Sequence, residues 1–270
     1  MRKSYLLWLI AFALTIGSSV FQRLTGPTYP ISGKVEFEGS KIEFSLPRSH
    51  STSSDCKIRI KSEKTDLKAN LEWKRFKVNE DWNIVEMKFS DGFFFAQLPA
   101  QPAAGKLEYR IRLFSEENEI LLPEKKNVII RFKDDVPSWA LVPHIFFIFL
   151  AMLFSTRTGL EYFNKKAYKN FLYLTLIFLV LGGLIFGPIV QKFAFGAYWT
   201  GIPFGYDLTD NKTLIAFIFW LLPLFYKNEN EKFSKLIIIA SIVTLIVFLI
   251  PHSLFGSELD YSTNKMINEF

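Results

Sequence analysis

Side chains able to do chemistry are few in this chain. It has three histidines, His50, His144 and His252, and one cysteine, Cys56. His144 follows Pro143 and His252 follows Pro251, each near one end of an apolar run. His144 is six residues past Ser138, roughly 9 Å along a helix, so the two imidazoles can reach similar depth. Two such imidazoles can ligate a b-type haem, or join carboxylates on a divalent metal. Asp207 and Asp210 would supply the carboxylates, with Tyr198, Trp199 and Asn211 in the same stretch. No HxxxH or HExxH spacing and no G-x-S-x-G elbow accompanies them. The reading with more weight is the plain one: each histidine hydrogen-bonds a helix end. Cofactor binding at His144 and His252, and metal binding at His144, His252, Asp207 and Asp210, stand as alternatives.

The elements that would position these groups are largely hydrocarbon. Half of the 270 residues are apolar and 29 are Phe, which excludes a disordered chain. Long uncharged runs alternate with one charge-rich stretch, which excludes a single soluble globule. Tyr5–Val20 follows Met1-Arg2-Lys3 as a signal anchor or signal peptide, with the uncleaved anchor favoured. Ser138–Phe154, Phe171–Val190, Thr213–Tyr226 and Leu236–Ile250 follow as four more spans. None holds Asp, Glu, Lys or Arg, which argues against an ion-coupled transporter. Gly183 and Gly187, four apart in the third span, permit close helix packing.

The net charge of +6 is sorted by position. Arg2 and Lys3, then Arg157, Lys165, Lys166 and Lys169, then Lys227, Lys232 and Lys235 fall on one side of a five-span arrangement. By the positive-inside rule that side is the cytoplasm. The basic excess is thus a topology signal, and nucleic acid is not expected as a partner.

The charged stretch alternates with the period of two that half-buried strands show. Val35, Phe37, Ile42, Phe44 and Leu46 flank Gly39-Ser40 as a hairpin. Further alternating runs lie at residues 56–60, 71–77, 85–89, 93–98, 106–113 and 127–132. About eight short strands predict an antiparallel β-sandwich. One cysteine excludes an internal disulfide, and Cys56 is expected in the core. The string LEYRIRL, an acidic turn at Glu116–Glu119, and NVIIRF resemble an immunoglobulin or fibronectin-III-like sandwich. Across the chain, TGPTYP, YWTGIPFGYDLTDNK and PHSLFGSELDY resemble an uncharacterised family of bacterial multi-pass envelope membrane proteins. That resemblance implies an envelope location and transfers no activity.

The expected fold class is membrane α plus β: five transmembrane helices and an extracytoplasmic antiparallel β-sandwich. The parts are a signal anchor (residues 1–22), a sandwich (23–136), a four-helix membrane domain (137–256) and an extracytoplasmic tail (257–270). The expected place is a bacterial inner membrane, N-terminus in the cytoplasm. The expected role is a non-enzymatic binding or assembly component whose partners are the lipid bilayer and other envelope proteins. A redox subunit with haem b or a divalent metal, and a small transporter or channel, are the alternatives. Residues 197–212 read as an aromatic hairpin in the headgroup layer or a lid, with Asp210 capping the next span.

Overall fold

The computed structural model describes residues 2–163, 169–225, 231–251, 254, 256, 258–263 and 265–267. The chain divides into a helical unit and a β unit, the latter formed by Thr28–Asp135 together with Glu258–Ile267.

The helical unit begins with α1 (Arg2–Thr25) and continues with α2 (Ser138–Leu160) and α3 (Lys169–Leu179). A π-helical stretch, Val180–Phe186, leads without a break into α4 (Gly187–Phe195). α5 (Leu208–Leu221) and α6 (Glu231–Leu249) complete it. Four helical stretches are long and apolar enough to cross a membrane: Lys3–Thr25, Ser138–Phe163, Lys169–Phe195 and Leu208–Phe225. The apolar stretch Lys235–Leu249 is shorter. All four of the longer stretches run beyond the spans read from sequence, and two of them take in buried charges. The second passes Phe154 and takes in Arg157 and Glu161, and the fourth starts early enough to take in Asp210 and Lys212. The spans as read from sequence remain free of charge, but the longer helical stretches carry these four charged side chains, each of them buried.

Aromatic packing ties the first helix to the others. Trp8 meets Phe154 and Phe171 edge-on, with ring centroids 5.5 Å and 5.7 Å apart. Gln22 Nε2 donates to the carbonyls of Phe248 and Ile250 at 2.6 Å and 3.2 Å. Lys212 Nζ donates to the same Ile250 carbonyl at 2.8 Å. The last carbonyls of α6, which a helix cannot satisfy itself, are thus taken by two neighbouring helices. Where helices touch most closely, glycine is required. A Cβ on Gly159 would lie 2.3 Å from Ser241 Oγ, and one on Gly182 would lie 2.7 Å from the Ile148 amide nitrogen.

The β unit holds two sheets face to face. The first has the order β1 (Ile31–Phe37), β2 (Ser40–Leu46), β4 (Cys56–Lys61), β8 (Phe93–Leu98), β7 (Lys88–Ser90). The second runs β3 (Ser49–Ser51), β11 (Val128–Lys133), β9 (Lys106–Phe114), β5 (Lys68–Arg75), β6 (Asn83–Glu86), with β10 (Glu119–Leu122) also on β9. Every strand pair is antiparallel except β3–β11, which is parallel. Alternation does the sorting. Ile42, Leu46, Ile58, Ile60, Phe94 and Leu98 from one sheet meet Leu71, Leu107, Ile111, Ile130 and Phe132 from the other. Cys56 lies in this core, where burial pushes its thiol up to about 11.

Three local details depart from the sequence reading. The first hairpin turns at Glu38-Gly39, because Phe37 pairs with Ser40 and both turn residues have positive φ, 52° and 70°. A two-residue hairpin needs that conformation, and Gly39 adopts it without strain. The strand expected at 85–89 is split: β6 edges one sheet, β7 edges the other, and buried Met87 is the crossing point. The acidic turn runs into an unexpected short strand, β10, which begins at Glu119 and pairs with β9.

A hairpin from the end of the chain, β12 (Glu258–Asp260) with β13 (Lys265–Ile267), belongs to the same unit. The Leu259 amide donates to the Ala104 carbonyl at 3.1 Å. Glu258 bridges Lys106 at 2.6 Å and Lys77 at 2.9 Å. Tyr261 Oη donates to the Lys106 carbonyl at 3.0 Å, and the Arg75 guanidinium lies 5.2 Å from its ring centre. Burial alone pushes the Glu258 carboxyl up, but hydrogen bonds from Lys106 and Lys77 outweigh it and leave it below the ordinary glutamate value. A depressed carboxyl stabilises the folded state above its unfolded pKa and loses that contribution as pH falls through its folded pKa. Docking of this hairpin should therefore weaken below about pH 4. The protection factor of the Leu259 amide should fall several-fold there, and Glu258→Gln should show that fall already at pH 7.

Candidate functional site

The candidate residues between α4 and α5 form a tied loop. α4 ends on Gly196 in the left-handed conformation, φ 83°. Asp207 is the N-cap of α5, its Oδ1 accepting from the Thr209 amide at 2.8 Å. The cap was expected of Asp210, and this is corrected: Asp210 already lies in the first turn and reaches back across the loop. Its Oδ2 accepts from the amides of Thr200 at 2.6 Å and Gly201 at 3.0 Å, and from Thr200 Oγ1 at 3.3 Å. Gln191 Nε2 donates to the same Thr200 hydroxyl at 2.6 Å. Asn211 Oδ1 accepts from the Ile202 amide at 2.8 Å. A Cβ on Gly201 would lie 2.6 Å from Asp210 Cβ, so the loop passes this carboxylate only as glycine.

The result is a rigid loop with an apolar outer surface. Trp199 folds its indole back, donating from Nε1 to the Ile202 carbonyl at 3.0 Å. Tyr198, Phe204 and Tyr206 are 60%, 80% and 59% exposed. Asp207 accepts from one backbone amide and Asp210 from two, as structural carboxylates do.

His144 has a different neighbourhood. Its Nδ1 lies 2.8 Å from the Gly182 carbonyl, within the π-helical stretch. A π turn shifts the carbonyl register, and such turns concentrate where a helix makes a special contact. The close helix approach is made by Gly182 and Gly183; a Cβ on Gly183 would meet Thr213 Cγ2 at 2.5 Å. A Cβ on Gly187 would make only ordinary contact with the His144 ring, at 3.7 Å. His252 lies outside the described residues. Among the described residues, no three His, Cys, Asp or Glu side chains are placed to share a metal ion.

A second polar site was missed in the sequence. Arg157 is 1% exposed, yet sits near the C-terminal end of α2. Its Nη2 reaches Glu161 Oε1 at 2.5 Å and Ser4 Oγ at 3.3 Å. Its guanidinium carbon lies 5.2 Å from the Trp8 ring centre and 5.0 Å from that of Phe171. Among the described residues Nε and Nη1 have no hydrogen-bond partner, and the two rings provide compensation. From Ser138 to Arg157 is 19 residues, about 29 Å of helix, which is one hydrocarbon thickness. The charge thus sits at the end of the span. The signal that would have found it is the Arg-x-x-x-Glu spacing, an i,i+4 pair that extends a helix past Phe154.

No protein-family model matches this chain, and no curated protein matches it. The functional reading therefore rests on its own geometry.

Removing the Asp210 carboxylate strands two buried amides. The local cost should be about 1–3 kcal/mol. Asp210→Ala should expose the loop to chymotrypsin after Tyr198, Phe204 or Tyr206 at least tenfold faster than the parent protein. Asp210→Asn, which keeps an acceptor, should fall between. Equal cleavage of all three proteins would show that the loop is held by something else.

Proposed function

We propose that this chain is a multi-pass membrane protein with five spans that displays its β-sandwich outside the cytoplasm as a non-enzymatic binding or assembly component. Parity is the observation that supports the five spans. The sandwich follows α1 and precedes α2. The terminal hairpin, which follows α6, packs onto the same sandwich. Leaving the sandwich at α2 and returning to it after α6 takes an even number of crossings. α2, the α3–α4 stretch, α5 and α6 supply four. With α6 on the membrane surface instead, the hairpin and the sandwich would lie on opposite sides of the bilayer.

Charge supports the orientation. Arg157, Lys169 and Lys235 lie towards the end of the bundle that carries Ser4, while Asp207 and Asp210 lie towards the other. The positive-inside rule assigns the first end to the cytoplasm. The side-chain contacts of Trp8 and Gln22 support an uncleaved α1 that works as part of the bundle.

The binding reading rests on what the outer groups do. The carboxylates of the α4–α5 loop hold backbone, and the loop presents Tyr198, Phe204 and Tyr206 outward. Rigid exposed aromatics suit contact, with lipid headgroups or with a partner protein, better than turnover. Purification from native membranes in mild detergent should recover a second component at fixed stoichiometry. A monodisperse monomer from the same preparation would contradict the binding role.

A further inference from the structure

The two sheets of the β unit treat their outward cations differently. On the six-stranded sheet the central cations have carboxylate partners. Arg110 and Arg112 each reach Glu72 at 2.6 Å, Arg112 also reaches Glu119 at 2.8 Å, and Lys74 lies 3.8 Å from Glu108. On the five-stranded sheet the close ion pair lies in one half. Lys34 pairs with Glu43 at 2.5 Å, and Glu36 stands opposite Lys41 in the β1–β2 register. In the β4–β8–β7 half stand Lys57, Arg59, Lys61 and Lys88, all exposed; Lys61 stands opposite Glu43, which Lys34 already holds, and none of the four forms a close ion pair among the described residues.

Two half-buried rings take the place of counter-ions. The Lys57 ammonium lies 4.7 Å from the centre of the Phe95 ring, and the Arg59 guanidinium 5.5 Å from that of Phe93. In register, Phe95 sits between Arg59 and Lys88, and Phe93 beside Lys61. The rings hold the cations flat on the sheet and leave their outward sides open. Because the rings are already covered, they are not platforms on which bases could stack, and the face offers charge alone.

We propose that the β4–β8–β7 face binds an extended acidic segment of a partner protein. Lys57, Arg59 and Lys61 recur at every second residue of one strand, roughly 6.6–6.8 Å apart. Side chains on one face of an extended peptide recur at the same interval, so alternate Asp or Glu residues would meet the cations in step. The unmatched charge supplies the complementarity that favours such a partner. This inference rests on the binding role proposed above and names the class of partner for one surface.

The test uses the full-length protein in nanodiscs of zwitterionic lipid, which offers no competing anionic surface. The probe is a fluorescent peptide of alternating Glu and Thr, ten residues long. It should bind, and binding should weaken as salt is raised from low ionic strength to about 0.5 M, where screening shortens the reach of charge to a few ångströms. The double variant Arg59→Glu with Lys61→Glu should lose at least tenfold in affinity. Lys34→Gln, in the matched half, should bind as the parent does. All three positions are exposed, and unchanged thermal midpoints establish folding. No binding, equal binding by the double variant, or tighter binding of dextran sulfate or single-stranded DNA than of the peptide would overturn the proposal. A co-purifying partner that survives the double variant would overturn this face alone and leave the binding role standing.

Discussion

Hydrocarbon offers no hydrogen bonds, so each polar group that enters it must bring its partner along. In the proposed membrane setting that constraint organises the helical half of this protein. Runs of Leu, Ile, Phe and Val satisfy their backbone inside each helix. The charged and amide side chains buried there reach partners close by, although two Arg157 nitrogens meet only aromatic rings. Arg157 has Glu161, Ser4 and two aromatic rings. Lys212 and Gln22 take the last carbonyls of α6. Asp210 takes the amides of its own loop. These groups lie towards the ends of the helical stretches, where a hydrocarbon slab of about 30 Å gives way to headgroups. Hydroxyls nearer the middle follow the same rule: Trp220 donates to Thr244 at 2.8 Å, and Thr244 to the Ala240 carbonyl.

The β unit solves the opposite problem, because water surrounds its outer faces and only its interior is apolar. Its strands bury alternate side chains and leave the others to be settled by charge. The six-stranded sheet settles them internally, around nearly buried Glu72. Burial alone pushes that carboxyl up, but Arg112 and Arg110 outweigh it and hold it below the ordinary glutamate value. The five-stranded sheet sets Lys57, Arg59 and Lys88 opposite Gln97 and Phe95 rather than a carboxylate. A difference of this kind within one small unit points outward, to something that brings negative charge.

How much of this could be read from the residues depends on the range of the signal. The apolar runs are local and dense, so the centres of the spans were legible. Their ends were not: Arg157 reads as a loop charge until Trp8 and Phe171, far away in sequence, are seen to enclose it. Strands with clean alternation, such as Cys56–Lys61, were equally plain. The three-residue β3 was not, because its pairing with β11 is parallel and comes from eighty residues away. The π turn beside His144 left no trace in composition. Asp210 was picked out by type but not by task, since its partners Thr200 and Gly201 are set by a loop geometry that no periodicity encodes. The terminal hairpin was legible only as a polar tail.

The central claim is that the chain crosses the bilayer an even number of times between the sandwich and the terminal hairpin. Alkaline phosphatase, which is active only outside the cytoplasm, can be joined after Phe270 and, in a separate fusion, after Phe225. The account predicts activity from the first fusion and none from the second. Inactive enzyme from both fusions, which would mean that α6 does not cross, would contradict it.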